Sequence, residues 1–192
     1  MGPPQSIVQS SIYDSHAWFM CQTNVMNVVR AVEGDITKQK VDAIVNAANT
    51  QMRGGGGVDG AIHRAAGPEL LEECIAKFPN GLATSQAGWT WGYDLPARYV
   101  IHVPGPNYGA GQTDPALLRD AYRSCLEVAD ELSVDSIAFP LLSAGVYRWP
   151  LDQAISIAVE TLATVQTKAS QVLLVSPTLA GRISQELKRI GM

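Results

Sequence analysis

From Asn27 to the C-terminus, short β-branched and aliphatic runs alternate with longer amphipathic segments, and this alternation limits the possible folds more than any other feature. NVVRAVE (27–33) and VDAIVNAA (41–48) read as strands, the second short and buried. Residues 58–77 read as helical, with a break near Gly67-Pro68. QAGWTW (86–91) and RYVIHV (98–103) are strands around a turn at GYDLPA (92–97). PALLRDAYRSCLEVADEL (115–132) is an amphipathic helix, with Asp114 as N-cap and Pro115 in first position. DSIAFPLL (135–142) is a strand, PLDQAISIAVETLATVQ (150–166) a helix, QVLLVS (171–176) a strand and TLAGRISQELKRI (178–190) a helix. Strands interleaved with helices in this way predict an α/β sandwich with a largely parallel sheet.

In such sheets a ligand sits beyond the carboxyl ends of the strands. NAAN (46–49), VPGPNYGAG (103–111) and LLSAGVYRWP (141–150) each follow a strand, so they are expected to converge on one rim. Four consecutive glycines, 54 to 57, lead into a helix expected to start near Val58. A helix start exposes unpaired N–H groups and partial positive charge, which suits an anion; the alternative is a flexible surface loop. The run at Gly55–Gly60 has the letters of a dinucleotide fingerprint. The preceding strand ends too early, however, and no acid closes the next strand, so a nicotinamide enzyme is not expected. No GK[ST] follows, which excludes a Walker A loop. Ser143-Ala144-Gly145-Val146-Tyr147-Arg148-Trp149-Pro150 forms a second strand-to-helix junction, a potential second cradle or an ordinary βα loop, with Pro150 suited to a first helical turn. Two anion cradles on one rim suggest a diphosphate.

The polar side chains near these loops each have two readings. Asp35, in GDIT, is a turn or capping residue when taken alone. Asn46 and Asn49 flank two alanines; asparagine both donates and accepts, which suits sugar hydroxyls, although Asn46 also fits a structural role. Asp59 lies at a helix start whose dipole favours the ionised carboxylate. It would orient or activate water, or cap the helix, and the residues alone leave both open. His63 is one turn further on and packs or hydrogen-bonds; His102, inside YVIHV, reads as a satisfied core histidine. Trp89, Trp91, Trp149 and Tyr93 read as core or rim packing.

The remaining constraints come from composition. The chain has 192 residues and 46% hydrophobic content, enough to bury one core. Its net charge is −4 and it has no Lys/Arg cluster, which argues against a broad nucleic-acid surface. Three scattered cysteines, Cys21, Cys74 and Cys125, form no CxxC, so no zinc site is expected and the odd count suits a reducing compartment. No apolar run is long enough to span a membrane, and MGPPQSIVQSS lacks the marks of a signal peptide; a cytoplasmic location is expected. Residues 1–25 read as an N-terminal extension of unknown role and 26–192 as one domain, with Met26 a sensible alternative start.

GDIT (34–37), VNAAN (45–49), GGGGVDGAIH (54–63), AGWTWGYDLPARYVIHVPGP (87–106) and LLSAGVYRWP (141–150) follow the order and spacing of a macrodomain. The wording from Asn49 to Asp59 resembles the MacroD-type branch, which includes hydrolases of mono-ADP-ribosylated acidic side chains and deacetylases of O-acetyl-ADP-ribose. The resemblance implies a three-layer α/β/α sandwich with a mixed, largely parallel sheet. It implies that Asp35 holds the adenine amino group with the Ile36 backbone beside it. Gly56, Gly57 and Val58 would take one side of the diphosphate, and Ser143, Ala144, Gly145 and Val146 the other. Tyr147 would lie against the distal ribose, Asn49 would bind its hydroxyls, and Asp59 would orient the attacking water or act as base. A hydrolase of the distal-ribose ester follows, acting as a monomer on ADP-ribosylated proteins or O-acetyl-ADP-ribose, with no cofactor and no metal. The competing expectation is a non-catalytic ADP-ribose reader.

Three positions depart from the family pattern. Arg148 stands where glycine is usual, and would narrow the pocket or add a cation beside the phosphates. VSPTLAG (175–181) offers Pro177 and Leu179 where an aromatic often covers adenine. Ser85-Gln86-Ala87 replaces a commoner Gly-Glu-Ala at little expected cost.

Overall fold

The computed structural model describes residues 28–192; the expected extension at 1–25, Cys21 and Met26 lie outside the described residues. Six strands form one sheet: β1 (Val29–Glu33), β2 (Ala43–Ala48), β3 (Gly88–Trp91), β4 (Tyr99–Pro104), β5 (Ser136–Phe139) and β6 (Gln171–Ser176). Their order is β1-β6-β5-β2-β4-β3, parallel throughout except for the edge pair β3–β4. Five helices cover it: α1 (Gly57–Ala66), α2 (Pro68–Lys77), α3 (Pro115–Glu131), α4 (Leu151–Thr164) and α5 (Ala180–Arg189). The expected mixed, largely parallel sandwich is the fold observed.

The two faces of the sheet follow from residue alternation within buried strands. Val45, Ile101, Ile137, Val172 and Leu174 face α3, α4 and α5 in one apolar cluster. Their neighbours Ile44, Val100, Ala138, Leu173 and Val175 face α1 and α2 in another. Gly67, at φ 90°, ends α1, and Pro68 restarts the chain as α2, which accounts for the break expected there. Asp114 caps α3 as expected, accepting from the Ala116 amide at 2.9 Å.

Two boundaries differ from the sequence reading. β5 stops at Phe139 because Pro140 has no N–H to continue the ladder. Pro150 sits one residue ahead of α4, as an extended N-cap with ψ 124°, rather than in the first turn.

The long α3 also anchors the start of the 141–150 loop. The Tyr122 hydroxyl, fully buried, accepts the Leu142 amide at 2.9 Å, and burial pushes the phenol's pKa up. Tyr122→Phe would leave that amide unsatisfied in the core, at a cost of about 1–3 kcal/mol. Thermal unfolding should show a loss of roughly 2–4 °C per kcal/mol.

Candidate functional site

A cavity of about 900 Å³ opens beyond the carboxyl ends of the parallel strands. Ala47–Asn49 border it after β2, Gly34–Ile36 after β1, Pro140, Leu141 and Ser143–Tyr147 after β5, and Val175–Pro177 with Leu179 after β6. The start of α1 closes another side with Gly55–Asp59. All the predicted site residues therefore lie on one cavity: Asp35, Ile36, Asn49, Gly56, Gly57, Val58, Asp59, Ser143, Ala144, Gly145, Val146 and Tyr147. Of the 103–111 loop, also expected on this rim, only Gly105 lines the cavity.

The four glycines divide the work between them. Gly54 packs on the His63 ring, 3.6 Å from where a side chain would begin. Gly55 lies between the two candidate catalytic groups: a Cβ there would sit 3.0 Å from Asp59 Oδ2 and 3.4 Å from Asn49 Nδ2. A Cβ on Gly60 would come within 2.4 Å of the Gly55 carbonyl, so the loop can fold back on its helix because residue 60 lacks a side chain. Gly56 and Gly57 face open space at the helix start, and no side chain caps the helix there. Among the described residues, the amides of Gly56, Gly57 and Val58 meet no acceptor, as expected for a first helical turn aimed at a ligand.

This loop is fixed in place. Asn49 Nδ2 donates to the Gly54 carbonyl at 2.6 Å, and Asn49 Oδ1 accepts the Gln51 amide at 3.0 Å. The Arg53 guanidinium donates to the carbonyls of Gln51, Met52, Phe78 and Pro79, tying the turn to the end of α2. A flexible surface loop, the alternative reading of the glycine run, would have no such clamp.

The opposite wall is a turn held by its own backbone. The Arg148 amide donates to the Gly145 carbonyl at 2.9 Å and the Trp149 amide to the Ser143 carbonyl at 3.0 Å. The amides from Ser143 to Tyr147 find no acceptor among the described residues. Ser143 holds a left-handed φ of 61°, and its hydroxyl is buried without a partner. Two sets of unsatisfied main-chain donors thus line one cavity, the arrangement that suits a diphosphate.

Asp59 is 4% exposed. Its Oδ1 accepts from Asn46 Nδ2 at 2.7 Å and lies 3.4 Å from His63 Nε2. Burial holds its carboxyl above the usual range, with the Asn46 hydrogen bond and His63 opposing. Burial first, and the Asp59 charge second, raise the pKa of Tyr147, which lines the same cavity.

At the far end Asp35 is exposed. One of its oxygens accepts from the Thr37 amide at 2.9 Å and from the Thr37 hydroxyl at 2.8 Å. It therefore caps a 3-10 turn while bordering the cavity. Pro177 and Leu179 line that end beside it.

Arg148 takes neither role expected of it: it does not line the cavity. Its side chain lies over the 108–110 turn, where Arg148 Cδ is 3.8 Å from the position of a Gly109 Cβ. Its φ of 59° explains why glycine would be easier there. Arg148→Gly should therefore stabilise the fold by about 1 kcal/mol, read as a higher denaturation midpoint with unchanged slope.

The sequence reading left Asn46 open between sugar binding and structure and took His102 as a core residue; it missed their contact with each other and with Asp59, the Thr90 partner of His102, and the separate places of Gly55 and the Ser143 hydroxyl. The available signal was a lone polar residue in each of two apolar strands, and Asn46 pairs in register with His102. Among the described residues, no group of three or more His, Cys, Asp or Glu could hold a metal, and no helix is long and apolar enough to cross a membrane. Cys74 is buried, and desolvation pushes its thiol up to about 12.

A family model for the macro domain matches residues 45–158. A macro domain-containing protein of Streptomyces coelicolor is 49% identical over 154 residues, covering 78% of this chain and 91% of its own length. One from Lactiplantibacillus plantarum is 53% identical over 146 residues, covering 75% and 84%. Among known structures, a glycine-to-valine mutant of the Oceanobacillus iheyensis macrodomain, solved with ADPR, superposes with a TM-score of 0.81. It is 37% identical, with 89% of this chain and 97% of that one covered. The Trypanosoma brucei macrodomain in complex with ADP-ribose gives a TM-score of 0.75 at 38% identity, covering 88% and 71%.

Proposed function

The chain belongs to the macro domain family, and from that membership we propose that it hydrolyses the ester at the distal ribose of ADP-ribose. Its substrates are mono-ADP-ribosylated Asp or Glu side chains, O-acetyl-ADP-ribose, or both, as in the MacroD-type branch. The observation that carries this reading is the meeting of Asn49 and Asp59 across Gly55, at the end of a cavity whose other walls present free amides.

The roles follow from position. The free Asp35 carboxylate oxygen and the Ile36 backbone receive adenine, with Pro177 and Leu179 as its apolar support. Gly56, Gly57 and Val58 donate to one phosphate, and Ser143 to Val146 to the other. Diphosphate binding then delivers the distal ribose to Tyr147 and Asn49. Asp59 accepts a proton from the attacking water as the ester bond breaks, leaving ADP-ribose and a free carboxylate. A buried base with a raised pKa suits this task better than a solvated one. Residues 26–192 form the working unit, a cytoplasmic monomer that needs no metal.

Two sequence departures, Arg148 and the missing adenine aromatic, are the features that would favour a reader. Arg148 lies outside the cavity, so it gives that reading no support. Incubation with a peptide mono-ADP-ribosylated on glutamate, followed by mass spectrometry, should show free ADP-ribose and unmodified peptide. Tight binding of ADP-ribose with the peptide left intact would favour the reader.

A further inference from the structure

Behind Asp59, away from the cavity, a line of buried polar side chains crosses three strands. Thr90 on β3, His102 on β4 and Asn46 on β2 are all fully buried. Thr90 Oγ1 is 2.8 Å from His102 Nε2, Asn46 Nδ2 is 3.1 Å from His102 Nδ1, and Asn46 Nδ2 is 2.7 Å from Asp59 Oδ1. Asn46 Oδ1, at the other end of the amide, is buried with no partner.

We infer that Thr90 and His102 are positioning residues for Asp59: with its proton held on Nε2 by Thr90, His102 offers Nδ1 as an acceptor and obliges Asn46 to aim its NH₂ at Asp59. The inference rests on the reading of Asp59 as base. An amide NH₂ has two hydrogens, and here both are committed, one to the carboxylate and one to the ring. The bare Oδ1 is the counterpart of that commitment, since a freely turning asparagine would not leave its carbonyl unsatisfied. If His102 carried its proton on Nδ1, Asn46 would have to turn its oxygen to the ring. That oxygen would then face Asp59 Oδ1, which is tolerable only with Asp59 protonated. The histidine tautomer and the charge on the base are therefore linked through one amide. Burial, with His63 and Lys77 adding to it, lowers the His102 pKa to about 3, so the ring stays neutral at working pH.

Other groups face Asp59 as well. His63 approaches from its own helix, Asn49 from the loop after β2, and Tyr147 from the loop after β5. Cys74 on α2 lies behind, 3.8 Å from His102 Nε2. Among the described residues, only Asn46 donates a hydrogen bond to the carboxylate at normal length.

The first test needs no variant. A two-bond proton–nitrogen correlation spectrum of the ¹⁵N-histidine-labelled chain should show His102 neutral, protonated on Nε2 and unprotonated on Nδ1, down to about pH 5. An Nδ1–H tautomer, or titration near an ordinary histidine pKa, would overturn the inference. The second test compares His102→Asn, whose amide oxygen can stand where Nδ1 stood, with His102→Leu, which has no acceptor. The asparagine variant should keep turnover within a few-fold. The leucine variant should lose about tenfold or more in kcat, with the acidic limb of its pH profile moved upward and its affinity for ADP-ribose nearly unchanged. Wild-type kcat and pH profile in His102→Leu would overturn the inference. Should that variant not fold, Thr90→Val replaces it and should shift the His102 tautomer and lower kcat in parallel; an unmoved tautomer there counts against the proposal. A chain with no turnover on any ester would end the hydrolase reading, and the spectrum alone would then decide the tautomer.

Discussion

Asp59→Ala is expected to reduce turnover of an ADP-ribosylated glutamate by about 10²–10⁴-fold, the usual contribution of a positioned base, while ADP-ribose still binds. The two effects separate because the proposed diphosphate donors are main-chain amides of two loops, and among the described residues neither loop donates a hydrogen bond to the Asp59 carboxylate. Calorimetry with ADP-ribose and a product assay by mass spectrometry, run on one preparation, check both halves. Turnover at the wild-type rate would remove Asp59 from the mechanism, and equal loss of binding and turnover would make it a ligand-binding group only.

The same carboxylate predicts a pH dependence of known sign. Its pKa is raised in the folded chain, chiefly by burial, so activity that needs the ionised form should fall as pH drops through a value above the ordinary carboxylate range. The folded state also binds this proton more tightly than the unfolded chain does. The stability the group contributes is present below the unfolded pKa and is lost as pH rises through the folded one. Asp59→Asn keeps an oxygen for Asn46 and removes the buried charge. It should therefore raise the melting temperature at neutral pH while abolishing turnover, the exchange of stability for activity expected at a strained site.

Most of the fold could be read from the chain because its strands are buried on both faces and its helices are long and amphipathic. Each signal is local. The two junctions that line the cavity were legible for the same reason, since glycine runs and strand-to-helix junctions are contiguous in sequence. The support for Asp59 was not. Asn46 and His102 lie 56 residues apart and meet only because β2 and β4 become neighbours in the sheet, with the two residues in register. Arg148 failed in a different way. Its identity was plain, but the direction of its side chain depends on a left-handed φ of 59° that no neighbouring residue announces. Gly55 was visible only as one of four glycines; its separate duty between Asn49 and Asp59 is a property of the folded loop.

Gly145→Val is expected to lower ADP-ribose affinity about 100-fold or more without lowering the melting temperature. A Cβ on Gly145 meets nothing within 4 Å, and the backbone there is not left-handed, so the fold tolerates the side chain. The space it enters borders the cavity between the two loops, where a phosphate must come within about 3 Å of the amides. Each charge-assisted hydrogen bond lost is worth about 1.5–3 kcal/mol, and two of them account for the expected drop. Gly60→Ala is the contrast, because its Cβ would collide with the Gly55 carbonyl at 2.4 Å; that variant should lose stability and affinity together. If Gly145→Val binds ADP-ribose as tightly as the parent chain by calorimetry, the amides of the 143–147 turn do not hold the diphosphate. The cavity would then have to bind its ligand in another orientation, with Asp59 no longer beside the distal ribose.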